Sequence, residues 1–214
     1  MKMALGAVGA SPNQTMSFER KNDAAIEETW VAQVQGRDLE AFSRIIDAYH
    51  GRVLWFVRRM VRSEEDSRDL TQEVFIRAFQ AIQKFDGRSS LRTWLFRIAY
   101  NLCVDRSRRN DRAPVTSSIE SSLEEDEPRE FADDRWNPEE LVMNREMGEV
   151  VEHSLATMSD KLRTVLLLHD KEDMAYEEIS AIVGIPVGTV KSRLFLARAH
   201  LQQHVGRYLE GGRA

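Results

Sequence analysis

Twenty-five residues from Phe85 to Arg109, FDGRSSLRTWLFRIAYNLCVDRSRR, combine aromatics, an asparagine and a dense set of arginines. Arg88, Arg92, Arg97, Arg106, Arg108 and Arg109 face only Asp86 and Asp105, a local balance of +4 in a chain whose formal net charge is −5. Aromatic faces stack on bases exposed from a duplex, an amide side chain reads a base edge, and guanidinium groups hold phosphates. This stretch offers all three. A plainer reading competes with it: Trp94, Leu95, Ile98, Ala99 and Leu102 recur at helical spacing and would form the buried stripe of an ordinary helix. For Trp94 both readings, core residue and base contact, stay open.

The second candidate is AYEEISAIVGIPVGTVKSRLFLARAHL, from Ala175 to Leu201. Ile179, Ile182 and Val183 mark the inner side of one helix. Gly184 supplies a turn position that tolerates positive φ, and Val190 and Leu194 pack a second helix back. That is the layout of a helix-turn-helix, whose second helix enters the major groove. Between Ile185 and Arg207 stand Lys191, Arg193, Arg198 and Arg207 and no acid. Such a helix suits a polyanion, because each phosphate neutralised releases counterions. Thr189, at the start of that helix, offers a hydroxyl and a free backbone N–H to a phosphate. A third candidate, Asp69, Gln72 and Glu73, lies at i, i+3 and i+4 on one helical face, solvated or docked on a basic partner helix.

The elements that must position these residues read as helices throughout. Leu39, Phe42, Ile45, Ile46 and Tyr49 recur at three- and four-residue steps and continue through Val53, Leu54, Phe56 and Val57. Ser63 with Asp66 three residues on opens the next helix in capping-box style, and its apolar side is Leu70, Val74, Phe75, Ala78, Phe79 and Ile82. Residues 113–140 break the pattern with a local charge of −8 and no apolar period, so they cannot bury enough surface to order themselves. Asn137-Pro138-Glu139-Glu140 restarts helix as cap, first position and acidic first turn, and Ser159 caps the following helix. The expected fold is all-α: two small helical domains joined by an acidic flexible linker, the C-terminal one containing the helix-turn-helix. Its divisions are a disordered tail at 1–19, a domain at 20–112, the linker at 113–137 and a domain at 138–210. Met16 offers an alternative start.

Composition excludes several classes. Cys103 is the sole cysteine, so there is no internal disulfide, and between Leu102 and Val104 it reads as a small buried hydrophobe. No apolar run approaches the roughly 18 residues of a membrane span, and a cytoplasmic location is expected. His200 and His204 stand at i, i+4 with no third ligand evident nearby, so no metal site is expected. CxxC, GxGxxG and GxxxxGK[ST] are all absent, and nothing points to a catalytic centre or a cofactor.

DLTQEVFIRAF, then FDGRSSLRTWLFRIAYNLCVDRSRR, then IPVGTVKSRLFLARAHL, in this order and separated by an acidic linker, resemble bacterial extracytoplasmic-function (ECF) sigma factors over about 20–205. The resemblance implies a non-enzymatic initiation factor whose first domain is region 2 and whose second is region 4. Asp69, Gln72 and Glu73 match the face that binds the clamp helices of the largest subunit of core RNA polymerase; the second domain would meet the flap of the second-largest subunit. Phe85, Asp86, Gly87, Arg88, Ser89 and Ser90, with Arg92, Trp94, Arg97 and Asn101, match the part that melts the −10 element and captures a flipped base from single-stranded DNA. Thr189, Lys191, Ser192, Arg193, Phe195 and Arg198 match the part that reads the duplex −35 element. Several relatives carry a basic residue where this chain has Leu196. The resemblance also implies an anti-sigma partner and a stress-response regulon. The rival readings are a dimeric helix-turn-helix regulator, in which the basic helix at 88–109 has no task, and a helical scaffold, which leaves both basic helices unexplained.

Overall fold

The computed structural model describes residues 25–61, 63–112 and 138–211, and every element in it is helical. The expected tail at 1–19, the acidic linker at 113–137 and the Asn137 cap lie outside the described residues. A helix described over 25–35 (α1) is followed by α2 (Leu39–Met60), α3 (Glu64–Ala81), a 3-10 turn (Ile82–Lys84) and α4 (Leu91–Arg112). After the linker come α5 (Pro138–Thr157), α6 (Asp160–Leu166), a π turn (Leu167–Lys171), α7 (Tyr176–Val183) and α8 (Val187–Gly211).

Local chemistry sets the boundaries. Asp38 caps α2 by accepting from the Glu40 and Ala41 N–H groups at 3.0 and 3.3 Å, and Ser63 caps α3 by accepting from Asp66 N–H at 3.2 Å. Each satisfies donors that the first turn leaves without partners. Ser159 differs from expectation: its side chain makes no cap bond, and α6 starts instead with the Leu162 and Arg163 N–H groups donating to the Ser159 carbonyl.

Helices α2, α3 and α4 pack on one another around Ile45, Tyr49, Val53, Phe56, Val74, Leu95 and Phe96. Phe56 and Phe96 meet edge to face at 5.4 Å, a favoured aromatic arrangement. In the second domain α5, α6 and α7 all pack on α8, burying Leu155, Val165, Leu168, Ile179, Val190 and Leu194. The two domains are docked, α4 against α7 and α2 against α6.

Between α7 and α8 the axes turn through 101°, within the roughly 90–120° of a helix-turn-helix. Gly184 makes the turn at φ 72°, ψ 37° while its N–H donates to the Ser180 carbonyl. A Cβ there would meet nothing within 4 Å, so the left-handed backbone alone penalises a side chain. Gly184→Ala should therefore lower stability by about 1 kcal/mol, read as a shift in urea midpoint; no change would mean the turn relaxes.

Candidate nucleic-acid interface

The loop ahead of α4 is held from three sides. Gln35 on α1 donates through Nε2 to the Ile82 and Phe85 carbonyls, both at 2.9 Å, and Gln83 returns a bond to the Val34 carbonyl at 3.1 Å. Gly87 adopts φ 70°, which lets the chain reverse before the helix. Ser90 then caps α4, its Oγ accepting from Thr93 N–H at 3.1 Å. Between loop and α1 lies a hollow of about 300 Å³, walled by Gly87, Arg88, Ser89 and Ser90 on one side and Glu27 and Glu28 on the other. Arg88 is exposed and pairs with Asp86 at 2.9 Å.

Helix α4 divides its sides. Leu91, Leu95, Phe96, Ala99, Leu102 and Cys103 are buried, and burial pushes the Cys103 thiol up to about 12, as suits an unreactive packing residue. Asn101 is exposed. Trp94 is half-buried, its ring 5.1 Å from that of Phe85, so it supports the loop from behind. Arg97 leaves its Nε buried without a partner. Arg106, expected to face DNA with its neighbours, instead bonds Asp66 at 2.8 Å.

On α8 Lys191 is exposed and lies over the Tyr176 ring at 5.4 Å. Ser192 donates back to the Thr189 carbonyl at 3.1 Å, and Phe195 is 73% exposed. Three details correct the sequence reading. The Thr189 N–H is not free for a phosphate, because it donates to the Pro186 carbonyl at 2.9 Å. Arg198 is paired with Asp170 of the π turn, Nε to Oδ2 at 3.1 Å, which raises its pKa; a helix free of acids in sequence meets one in space. Arg193 comes close enough to Tyr100 of α4 to act electrostatically on that phenol.

Asp69, Gln72 and Glu73 keep one side of α3 but face two hollows. Asp69 and Glu73 line one with Asp105, Arg106 and Arg109, and Glu73 pairs with Arg77 at 2.6 Å. Gln72 lines the other, an apolar groove of about 720 Å³ with Phe42, Phe75 and the exposed Ile76 and Phe79. The fold brings His153 of α5, distant in sequence, to 6.0 Å from His204, which is itself 4.6 Å from His200. Even so, among the described residues no three ligating side chains are placed to hold a metal ion.

The domain contact was not read from the sequence. Glu172, 2% exposed, accepts from Arg52 Nε at 2.9 Å and Nη2 at 2.5 Å, while Arg92 donates to its carbonyl at 3.0 Å. Glu178 accepts from Thr93 Oγ1 at 2.6 Å, Ser90 Oγ at 3.3 Å and Arg92 Nη2 at 3.5 Å, and its other task is to take the Ala175 N–H at the start of α7. Arg59, stacked 3.6 Å over Trp55, reaches Glu152 of α5. Two residues matched to the −10 element, Ser90 and Arg92, are thus engaged by the C-terminal domain. No local pattern signals this, since the partners stand 80 to 88 residues apart.

Burial opposes the Glu178 charge, but the Thr93 hydroxyl, the Ala175 N–H and Arg92 more than offset it and hold the carboxyl below its ordinary value. A depressed folded-state pKa adds stability that is present above about 4.3 and lost as pH falls through the lowered value. Glu178→Gln should cost about 1–2 kcal/mol at neutral pH, measured by urea unfolding. The gap to wild type should close as pH drops below 4; a pH-independent gap would refute the charge assignment.

Sequence comparisons accord with this geometry. Residues 45–113 match the family model for Sigma-70 region 2, and residues 149–201 that for Sigma-70, region 4. The ECF RNA polymerase sigma-E factor of Escherichia coli K12 is 34% identical over 180 residues, covering 84% of this chain and 94% of that protein. The RNA polymerase sigma-H factor of Pseudomonas aeruginosa is 34% identical over 176 residues, covering 80% and 90%. In fold the chain is similar to CnrH in complex with the cytosolic domain of CnrY (TM-score 0.59, 22% identity, 88% and 99% covered). It is also similar to the sigma factor RpoE bound to the anti-sigma factor NepR from Bartonella quintana (TM-score 0.58, 21% identity, 77% and 96% covered). Two matching sigma regions in order, with relatives aligned along most of their own length, place the chain in the family of ECF RNA polymerase sigma factors.

Proposed function

We propose that the chain joins core RNA polymerase, reads the −35 element with α8, and opens the −10 element by taking a displaced base into the hollow beside Phe85–Ser90. The observation that carries this reading is the hollow itself, about 300 Å³ between the loop and α1, directly ahead of a helix that exposes Asn101. A base displaced from a duplex needs an enclosed space with polar groups for its edge. Glu27, Glu28, Ser89 and Ser90 supply such groups there, and Arg88 stands ready for the backbone.

Asn101 reads a base edge, and Arg97 supports the strand. Trp94 acts through Phe85, as a wall behind the loop. Asp69, Gln72 and Glu73 meet the clamp helices of the largest polymerase subunit, with the apolar groove next to Gln72 adding contact area; region 4 meets the flap of the second-largest subunit. Thr189, Lys191, Ser192, Arg193, Phe195 and Arg198 face the −35 duplex. Because Ser90 and Arg92 are engaged by Glu178 and Glu172, binding both elements requires the two domains to separate, with the linker at 113–137 spanning them. Control by an anti-sigma partner follows by analogy with the neighbour solved with NepR, a stress-response regulon follows from the family resemblance alone, and the work is done in the cytoplasm, where core polymerase resides.

Run-off transcription with purified core polymerase on fragments of the chain's own genome should give discrete, chain-dependent transcripts. Asn101→Ala should reduce them at least tenfold, the scale of one lost base-reading contact of about 1–3 kcal/mol, while leaving core affinity unchanged. Tight operator binding without core, together with no core-dependent transcript, would favour the dimeric regulator.

Gln72→Ala with Glu73→Ala should weaken association with core by about tenfold, the size expected of a pair of interface contacts, with the helical content of the chain intact. Unchanged affinity would place the polymerase contact elsewhere on the surface.

A further inference from the structure

Helix α8 buries Val190, Leu194 and Ala197. Three- and four-residue steps put Gly188, Ser192, Phe195, Leu196 and Ala199 on the opposite side, and all five are exposed. Phe195 is 73% and Leu196 54% exposed. The cations sit off this crest: Lys191 lies over Tyr176, Arg198 is tied to Asp170, and Arg193 leans toward Tyr100. The crest therefore carries one hydroxyl, two adjacent large apolar side chains and no charge.

Single exposed apolar residues are common and carry no message. Two side by side at the centre of a helix that the 101° turn presents outward, flanked by Lys191 and Arg193, are a different matter. Flanking cations suit the phosphates on either side of a groove, and the crest then meets base edges. In the major groove the one apolar group large enough to fill a side-chain contact is the thymine C5-methyl; cytosine offers only a C5–H beside its amine, and the purine edges offer donors and acceptors. An apolar side chain over a cytosine amine or a guanine carbonyl would leave that group without a partner.

We infer that Leu196, with Phe195 beside it, reads thymine methyl groups, so that the upstream promoter element presents thymine at the step facing Leu196. A side chain with no hydrogen-bonding capacity thereby acts as a specificity determinant at a position where several relatives place a basic residue. The inference rests on the reading of α8 as the promoter helix.

The test uses full-length chain with core polymerase. The upstream element is selected from randomised duplexes, and each of its thymines is then replaced singly by deoxyuridine, which pairs identically and lacks the methyl. One or two replacements should weaken binding about fourfold, the worth of one buried methyl group. Leu196→Ala should erase that thymine preference, and Leu196→Arg should move the selected base away from thymine; Leu196 is exposed, so both variants retain the fold. Equal affinity for thymine and deoxyuridine at every step, with transcription still promoter-selective, overturns the methyl reading and leaves α8 as the promoter helix. A preference that survives Leu196→Ala overturns it too, as does a Leu196→Ala defect confined to core association, which would make the crest a protein contact. Absence of any promoter-selective transcript sinks the sigma reading itself.

Discussion

Two carboxylates of the C-terminal domain govern how the rest of the molecule presents itself. Glu172 and Glu178 accept from Arg52, Arg92, Ser90 and Thr93 of the first domain, and Glu172 is buried in doing so. A charge taken out of water is tolerable only when well paired, and such pairs contribute more to a defined arrangement than to net stability. Apolar contact accompanies these bonds: Met60 lies against Thr164, Lys171 lies over Trp55, and the buried apolar residues of the two domains form one cluster. Guanidinium groups donate to carboxylate and phosphate oxygens in the same planar geometry. Under the proposed function, a DNA-bound arrangement competes with the docked one for Arg92.

Within that frame, the loop at 85–90 is fixed far more firmly than its Gly and Ser content suggests. Gln35 holds its entry, Ser90 closes its exit, and the Phe85–Trp94 pair backs it. Trp94 is half-buried against the core and against Phe85, so it backs the loop from behind. Preorganisation of this kind lowers the ordering cost that a flexible loop would meet on binding.

The helices were legible because their information is local. Period 3.6, the Ser63 cap and the Gly184 turn each involve neighbours a few residues apart, and the structure bears them out. The partly apolar set on α3 was legible too, but not that Ile76 and Phe79 would remain exposed; the 3.6-period pattern marks an apolar side without saying whether a neighbour covers all of it. What escaped depends on distant chain. The acid partner of Arg198 is Asp170, that of Arg106 is Asp66, and the hydroxyl partners of Glu178 lie on another domain. The Thr189 N–H was misread for a subtler reason: at the third helical position it already closes a tight turn onto the Pro186 carbonyl, which leaves the hydroxyl as the group to offer a phosphate.

These pairings also change what the arginine count means. Arg88 answers Asp86, which the local +4 already counts, while Arg106 answers Asp66 and Arg92 answers Glu178, acids from outside the stretch, so the field around 85–109 is weaker than that balance implies. Exposed ion pairs are weak, typically below about 1 kcal/mol, and salt-screened. Phosphates, whose binding releases condensed counterions, can displace these acids at little cost. Electrostatics then supplies affinity that any sequence would enjoy. Under the proposed function, the uncharged Asn101, Ser192, Phe195 and Leu196 add discrimination between sequences to whatever an arginine or lysine reads at a guanine edge.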